Sequence, residues 1–376
     1  MVARRPFSAP AGLLCLFCLL WAGTQALQAE TESSVRILAL TTLTHDGDEP
    51  LVLGGGEAGL TVKSTGSREV RGLLEINALL GKDTYLEIPR AYIKARFPGF
   101  RTTVGRTRVS WGRGFLFNAG DVIFEGLDPA VGDLSATELR KRTDWLAELY
   151  LPLGPFSFFE AVLLPYSGTS PELVVEPKSL AAPGKIAGGG RLAFKLAGLS
   201  AEAGYLYHGQ SDTHRPYVSV QGHLLADLYA AASASIPAFG AAPEDLDEYT
   251  ALSAGIFRLV NLPAGGSLSA RVEAGIRPGA RWTALASAPA EAEAGYGLYL
   301  FPELTYSPRD NISWQLRALV SPVDGSAWVL GGVSWNVYQG LTVLANLTCQ
   351  AGEEDDTYTW RQEGGASFTA GLEYIY

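Results

Sequence analysis

The sequence predicts an all-β chain folded as one closed antiparallel transmembrane β-barrel of about 18 strands. Three observations lead there. Apolar and polar residues alternate with a period of two along the body of the chain. The links between the alternating stretches are short and long in turn. The last stretch, "GASFTAGLEYIY", places Phe368, Ala370, Leu372, Tyr374 and Tyr376 at every second position.

The front of the chain sets the compartment. "MVARRPFSAPAGLLCLFCLLWAGTQALQAE" carries Arg4 and Arg5, then an apolar run from Gly12 to Trp21, then small residues. This is the pattern of a secretory signal peptide over residues 1–29, and its apolar run is too short to span a bilayer as a helix. Residues 30–376 then form a single domain, since no linker or break in composition interrupts them. Cys15 and Cys18 fall in the removed segment, so Cys349 is the one cysteine left and an intrachain disulfide is excluded. Without Arg4 and Arg5, 27 of the 29 basic residues remain against 39 acidic ones, a charge near −12. An acidic exported chain is a poor nucleic-acid binder, and export excludes cytosolic and nuclear roles.

After residue 29 no stretch is long and apolar enough for a membrane helix. What recurs is alternation. "SLSARVEAGIR" sets Leu268, Ala270, Val272, Ala274 and Ile276 against Ser269, Arg271, Glu273 and Arg277. "NISWQLRALV" sets Ile312, Trp314, Leu316, Ala318 and Val320 against Ser313, Gln315 and Arg317. Leu341, Val343, Ala345, Leu347 and Cys349 repeat the pattern in "GLTVLANLTCQ". A soluble sandwich also alternates, but its buried faces favour bulky aliphatic residues. Here many positions of the apolar face are Ala or Gly, and aromatics such as Trp145, Tyr205, Tyr306, Trp335 and Tyr374 gather near strand ends. Aromatic girdles mark a barrel in a bilayer, where only a closed sheet can pair all its backbone groups.

The connections agree. Strands are expected from about 34–43 to 365–376, the fifth at 101–110 and the sixth at 143–152, with a bulge at Pro89 because proline breaks a ladder. Short links such as "PG" at Pro98 and "PRDN" alternate with long ones such as 111–142, 167–184 and 278–294. Both ends fall on the short-link side, as an even-stranded barrel with both termini in the periplasm requires. Sixteen strands is the alternative if two weak strands, such as the first pair, are not strands.

The final strand resembles the C-terminal insertion signal of outer-membrane proteins: Phe368, Leu372, Tyr374 and the terminal Tyr376 stand on one face. The resemblance implies recognition by the barrel-assembly machinery and a multi-pass location in the outer membrane, in contact with its lipid. A bore this wide cannot be filled by wall side chains alone. The segment after the fifth strand, "WGRGFLFNAGDVIFEGLDPAVGDLSATELRKR", is both apolar and acidic, and the strands before it carry basic residues at alternate positions. In position and charge this resembles the constriction of the porin family. That resemblance implies that loop 111–142 folds into the lumen, with a basic wall of Arg71, Arg90, Lys94, Arg96, Arg106, Arg108 and Arg113 facing carboxylates of Asp121, Glu125, Asp128 and Asp133. Opposed charges across a narrow wet gap orient polar solutes. The alternative is that these charges simply pair and brace the wall. "VGRTRVSWGRGFLFNAGDVI" is also similar to a pattern in capsule-assembly and alginate-export barrels, which would make Trp111 and Asn118 sugar contacts.

The expected function is a channel for small hydrophilic solutes. A sugar or polysaccharide channel and a plugged adhesin or structural barrel are the alternatives, and association into a homo-oligomer stays open. No nucleotide fingerprint, metal-spaced His/Cys set or nucleophile with a neighbouring base is present, so neither a cofactor nor an enzymatic activity is expected.

Overall fold

A computed structural model describes residues 31–46, 49–64, 69–81, 84–124, 142–165, 185–196, 198–240, 245–263, 265–284, 295–353, 356–359 and 365–376. The signal-peptide region lies outside them. The strands are β1 (Thr31–Asp46), β2 (Glu49–Ser64), β3 (Val70–Leu80), β4 (Tyr85–Arg96), β5 (Arg101–Thr107), β6 (Asp144–Pro152), β7 (Phe158–Leu164), β8 (Ala187–Leu196) and β9 (Leu199–His208). Then come β10 (Thr213–His223), β11 (Asp227–Ala234), β12 (Thr250–Asn261), β13 (Ser267–Ile276), β14 (Leu298–Arg309), β15 (Ile312–Ser321), β16 (Ser326–Tyr338), β17 (Leu341–Ala351) and β18 (Ala366–Ile375). A further two-residue segment, Ile236–Pro237, pairs with Thr213 and His214 and extends β11. A four-residue helix, α1 (Leu246–Tyr249), precedes β12.

Each strand pairs antiparallel with the next, and β1 pairs with β18 to close an 18-stranded barrel. The seam is sealed by backbone bonds in both directions between Val35 and Tyr376, each 2.9 Å. Closure leaves no unpaired edge, which is what an apolar environment demands of a sheet.

The pairing register assigns every side chain to one face. Across the seam Ile37, Ala39 and Leu43 oppose Tyr374, Leu372 and Phe368, and these point outward. Arg36 points inward and bonds both Glu57 and Glu373. Leu268, Ala270, Val272 and Ala274 of β13 share the outward face with Leu304 and Leu300 of β14, while Arg271 and Glu273 point inward. The wall thus inverts the usual rule in places: large apolar side chains such as Ile37, Val104 and Leu304 are exposed on the outside, while Glu160, Glu273 and Arg317 are buried within. Between β3 and β4 the register slips, with Glu75 opposite Arg90 and Asn77 opposite Glu87, so one extra residue is accommodated around Ile88 and Pro89. The slip keeps Arg90 and Lys94 on the inward side although Pro89 interrupts the ladder.

Candidate functional site

β5 ends at Thr107, three residues sooner than its alternation predicts. Gly105 has φ +133°, a conformation that side-chain-bearing residues avoid, and the chain then leaves the wall and turns into the bore. Residues 108–124 run across the lumen. Their apolar side chains find two buried clusters there, because bare Phe and Leu in a wet bore would otherwise stay hydrated. Near its origin, Trp111, Val122 and Ile123 pack with Leu146, Val162, Leu164, Leu206 and Tyr217 of the β6–β10 wall. Further on, Leu116, Phe117 and Ala119 pack with Ala231, Phe301, Leu319 and Leu330 of the β11–β16 wall.

Polar contacts fix this crossing. The Glu273 carboxylate, fully buried, accepts three successive backbone N–H groups: Phe115 at 2.6 Å, Leu116 at 2.7 Å and Phe117 at 2.9 Å. Tyr229 donates its hydroxyl to the same carboxylate. Ser253 Oγ accepts from Ala119 N–H at 2.9 Å. A buried charge is tolerated when its lone pairs are filled, and charge-assisted bonds are the strong kind. Asn118 clasps the loop internally: its amide donates to the Trp111 carbonyl at 2.8 Å and its oxygen accepts from Gly120 N–H at 3.2 Å. Gly112, at φ +70°, lies against Gly120, an approach that any side chain would block.

A second charged group sits on the β7–β9 wall. Arg191 reaches Glu202 at 2.8 Å and Glu160 at 3.2 Å, and Trp111 donates its indole N–H to Glu160 at 2.6 Å. A third lies on β13–β15, where Glu303 takes Arg317 at 2.7 Å and stands 3.6 Å from Arg271. The Arg271 guanidinium lies 4.0 Å from the ring centre of Phe115.

Arg71, Arg90, Lys94 and Arg96 are exposed on the inward side of β3 and β4, where Arg71 opposes Lys94 in register and Arg90 lies 3.7 Å from Glu75. Arg113 is exposed at the loop. Arg106 is buried and bonds the side chain and carbonyl of Thr143, each at 3.2 Å. Arg108 pairs with the buried Asp121 at 2.6 Å, both groups belonging to the crossing segment. Those two arginines therefore brace the loop and wall. Glu125, Asp128 and Asp133 lie outside the described residues. Trp111 is fully buried and the Asn118 amide is bonded within the loop, so their polar groups are already committed. Phe368, Leu372, Tyr374 and Tyr376 are exposed on the outer surface. Sequence reasoning placed Glu273 and Arg317 on polar faces but gave neither a role; nothing in "SLSARVEAGIR" distinguishes a loop anchor from any other inward carboxylate.

On the side of the loop that faces the chain termini, a cavity of about 530 Å³ remains. Its lining includes Arg113, Phe158, Glu202, Gln221, Tyr229, Phe257 and Arg271.

No protein-family model matches the sequence, and no curated protein matches it. Solved structures do share its architecture. OccAB4 of Acinetobacter baumannii superposes with a TM-score of 0.58 at 9% identity, covering 93% of this chain and 98% of its own. Wzi of Escherichia coli, an outer-membrane carbohydrate-binding β-barrel involved in group 1 capsule assembly, gives 0.59 at 15% identity, covering 99% and 89%. OccK11 (OpdR) of Pseudomonas aeruginosa gives 0.55 at 10% identity, covering 92% and 95%. At such identities the likeness establishes the closed barrel that these chains have in common.

Proposed function

We propose that this protein is an outer-membrane channel, which passes small hydrophilic solutes through a bore narrowed from one side. One observation carries the reading. Glu273 pins residues 115–117 to the β13 wall, whereas Arg71, Arg90 and Lys94 on the inward side of β3 and β4 stay exposed. Among the described residues the crossing segment therefore leaves the side of Arg71, Glu75, Arg90 and Lys94 uncovered, an off-centre lane. An exposed row of cations in a passage with low-dielectric walls concentrates anions and favours their transit. The outward band of Leu, Val, Phe, Trp and Tyr supports a location in lipid, and the shared architecture with Wzi, an outer-membrane protein, supports the same compartment.

Purified protein in planar bilayers tests the proposal. Ohmic single-channel steps are expected, and deletion of residues 115–135 is expected to enlarge them. Folded protein that never conducts would overturn the reading in favour of a structural barrel or adhesin. An unchanged step after the deletion would show that the loop does not set the width of the passage.

A further inference from the structure

We propose that the outer wall holds one anionic phospholipid, with an acyl chain in a groove across β14–β18 and its phosphate at Arg309. The site is independent of what the bore passes.

The groove measures about 390 Å³ and opens on the outward side of the sheet. Its floor is Gly331 and Ala345, small residues on the neighbouring strands β16 and β17. Tyr306 and Trp314 stand along one side and Leu347 and Phe368 along the other, all four exposed. A Cβ added at Gly331 would meet nothing within 4 Å, so the dent is open space and not a close approach of two backbones. In water such a dent would fill with solvent. In hydrocarbon an unfilled dent forfeits the dispersion contacts of its lining, so an alkyl chain is drawn into it. Two convex barrel walls touch along a line, whereas a single alkyl chain fits inside the dent, which favours lipid over a second copy of this chain.

A charge at one end selects the kind of lipid. Arg309 closes β14, three residues beyond Tyr306, and pairs in register with Ile312. Ile312 shares the outward face with Trp314, so Arg309 stands on that face one outward position beyond the groove, about 7 Å along the strand. The long stem of an arginine lies along apolar surface while its guanidinium reaches the headgroup level. Trp335, opposite Ile312, sets an aromatic ring at the same level. Arg309 is exposed and forms no ion pair among the described residues. Asp310 follows in the turn, farther from the groove, so a phosphate joined to a chain in the groove meets the guanidinium first. A zwitterionic headgroup brings its own ammonium to that phosphate, whereas an anionic one leaves the whole charge to Arg309. Arg258 of β12 also faces outward, opposite Ala270, but β13 separates it from the groove.

Native mass spectrometry of the full protein in detergent tests the site, with equal amounts of phosphatidylglycerol and phosphatidylcholine added. One phosphatidylglycerol is expected to stay bound, preferred about fivefold over phosphatidylcholine, the ~1 kcal/mol that one interfacial cation contributes toward an anionic lipid. Arg309→Gln should abolish the preference, so that both lipids bind equally. Gly331→Leu puts a side chain into the groove and should lower retention of both. Arg258→Gln should keep the wild-type preference. Heat-dependent gel mobility shows that each variant is folded, and the open space at Gly331 leaves room for its leucine. Equal retention of the two lipids by the wild type, retention indifferent to Gly331→Leu, loss of preference in Arg258→Gln, or a second copy of the chain bound in place of lipid would each overturn the assignment. Single-channel steps bear on the channel reading alone, so failure of either idea leaves the other standing.

Discussion

Replacing Glu273 by Gln examines how firmly the crossing segment is held. The carboxylate takes Phe115 and Tyr229 on one oxygen and Leu116 and Phe117 on the other. A glutamine amide keeps a single oxygen; turned so that its NH₂ group donates to the Tyr229 hydroxyl, it leaves Phe115 N–H without an acceptor. The other three bonds lose their charge assistance. With ~1.5 kcal/mol for each bond to a charged group and about half that once the group is neutral, the anchor weakens by roughly 4 kcal/mol. That is about a thousandfold change in the ratio of anchored to released loop. The apolar clusters around Phe117 and Phe301 and the Ala119–Ser253 bond remain, so the barrel itself is expected to fold. Single-channel recording should then show excursions to a larger conductance that the wild type lacks. Glu57→Gln, an inward carboxylate paired with Arg36, serves as the control and should not produce them. Identical current histograms for wild type and Glu273→Gln would refute the argument that this carboxylate keeps the segment across the bore.

Further expectations follow from other contacts. Changing Arg71, Arg90 and Lys94 together to Ala should move the reversal potential in a salt gradient toward cation preference; an unmoved potential would show that the exposed row on β3 and β4 does not line the conducting lane. Arg108→Ala removes the guanidinium that faces the buried Asp121 and should lower the thermal stability by about 3 kcal/mol, measured by heat-dependent gel mobility. At the mouth opposite the termini, burial pushes the Asp324 carboxyl up, but hydrogen bonds from the backbone and hydroxyl of Thr357, each 2.7 Å, outweigh it and hold the group below its ordinary value. This clamp on residues 356–359 is therefore in full force above the unfolded-state value of ~3.9 and is lost as pH falls through the lower folded-state value. Asp324→Asn should imitate the acid state at neutral pH, and an unaltered hydrogen-exchange rate at the Thr357 amide would contradict it.

Much of the wall could be read from the chain because a barrel strand reports its own orientation: every second residue of "NISWQLRALV" or "SLSARVEAGIR" meets the same medium. The slip around Pro89 was legible for a similar local reason, since proline cannot donate to a ladder. The interior was harder. The Glu273 anchor joins residues more than 150 positions apart, from Phe117 to the far wall, and no local pattern announces such a partner. Arg106 and Arg108 seemed equivalent to Arg90 by spacing. Gly105, at positive φ, precedes both, and β5 ends between them at Thr107, so one arginine turns to Thr143 and the other to Asp121. The resemblance to capsule-assembly and alginate-export barrels points Trp111 toward a sugar, yet its indole fills the gap between Tyr217 and Glu160.

The joint between Val35 and Tyr376 has a kinetic corollary. It unites segments separated by nearly the whole polypeptide, so until it forms, the two flanking strands each present a row of bare amide groups. In hydrocarbon such rows are prohibitively costly, which means that the staves cannot enter the bilayer singly and wait for one another. Insertion and ring closure must proceed as one event, or something other than lipid must shield the open staves until the hoop is complete.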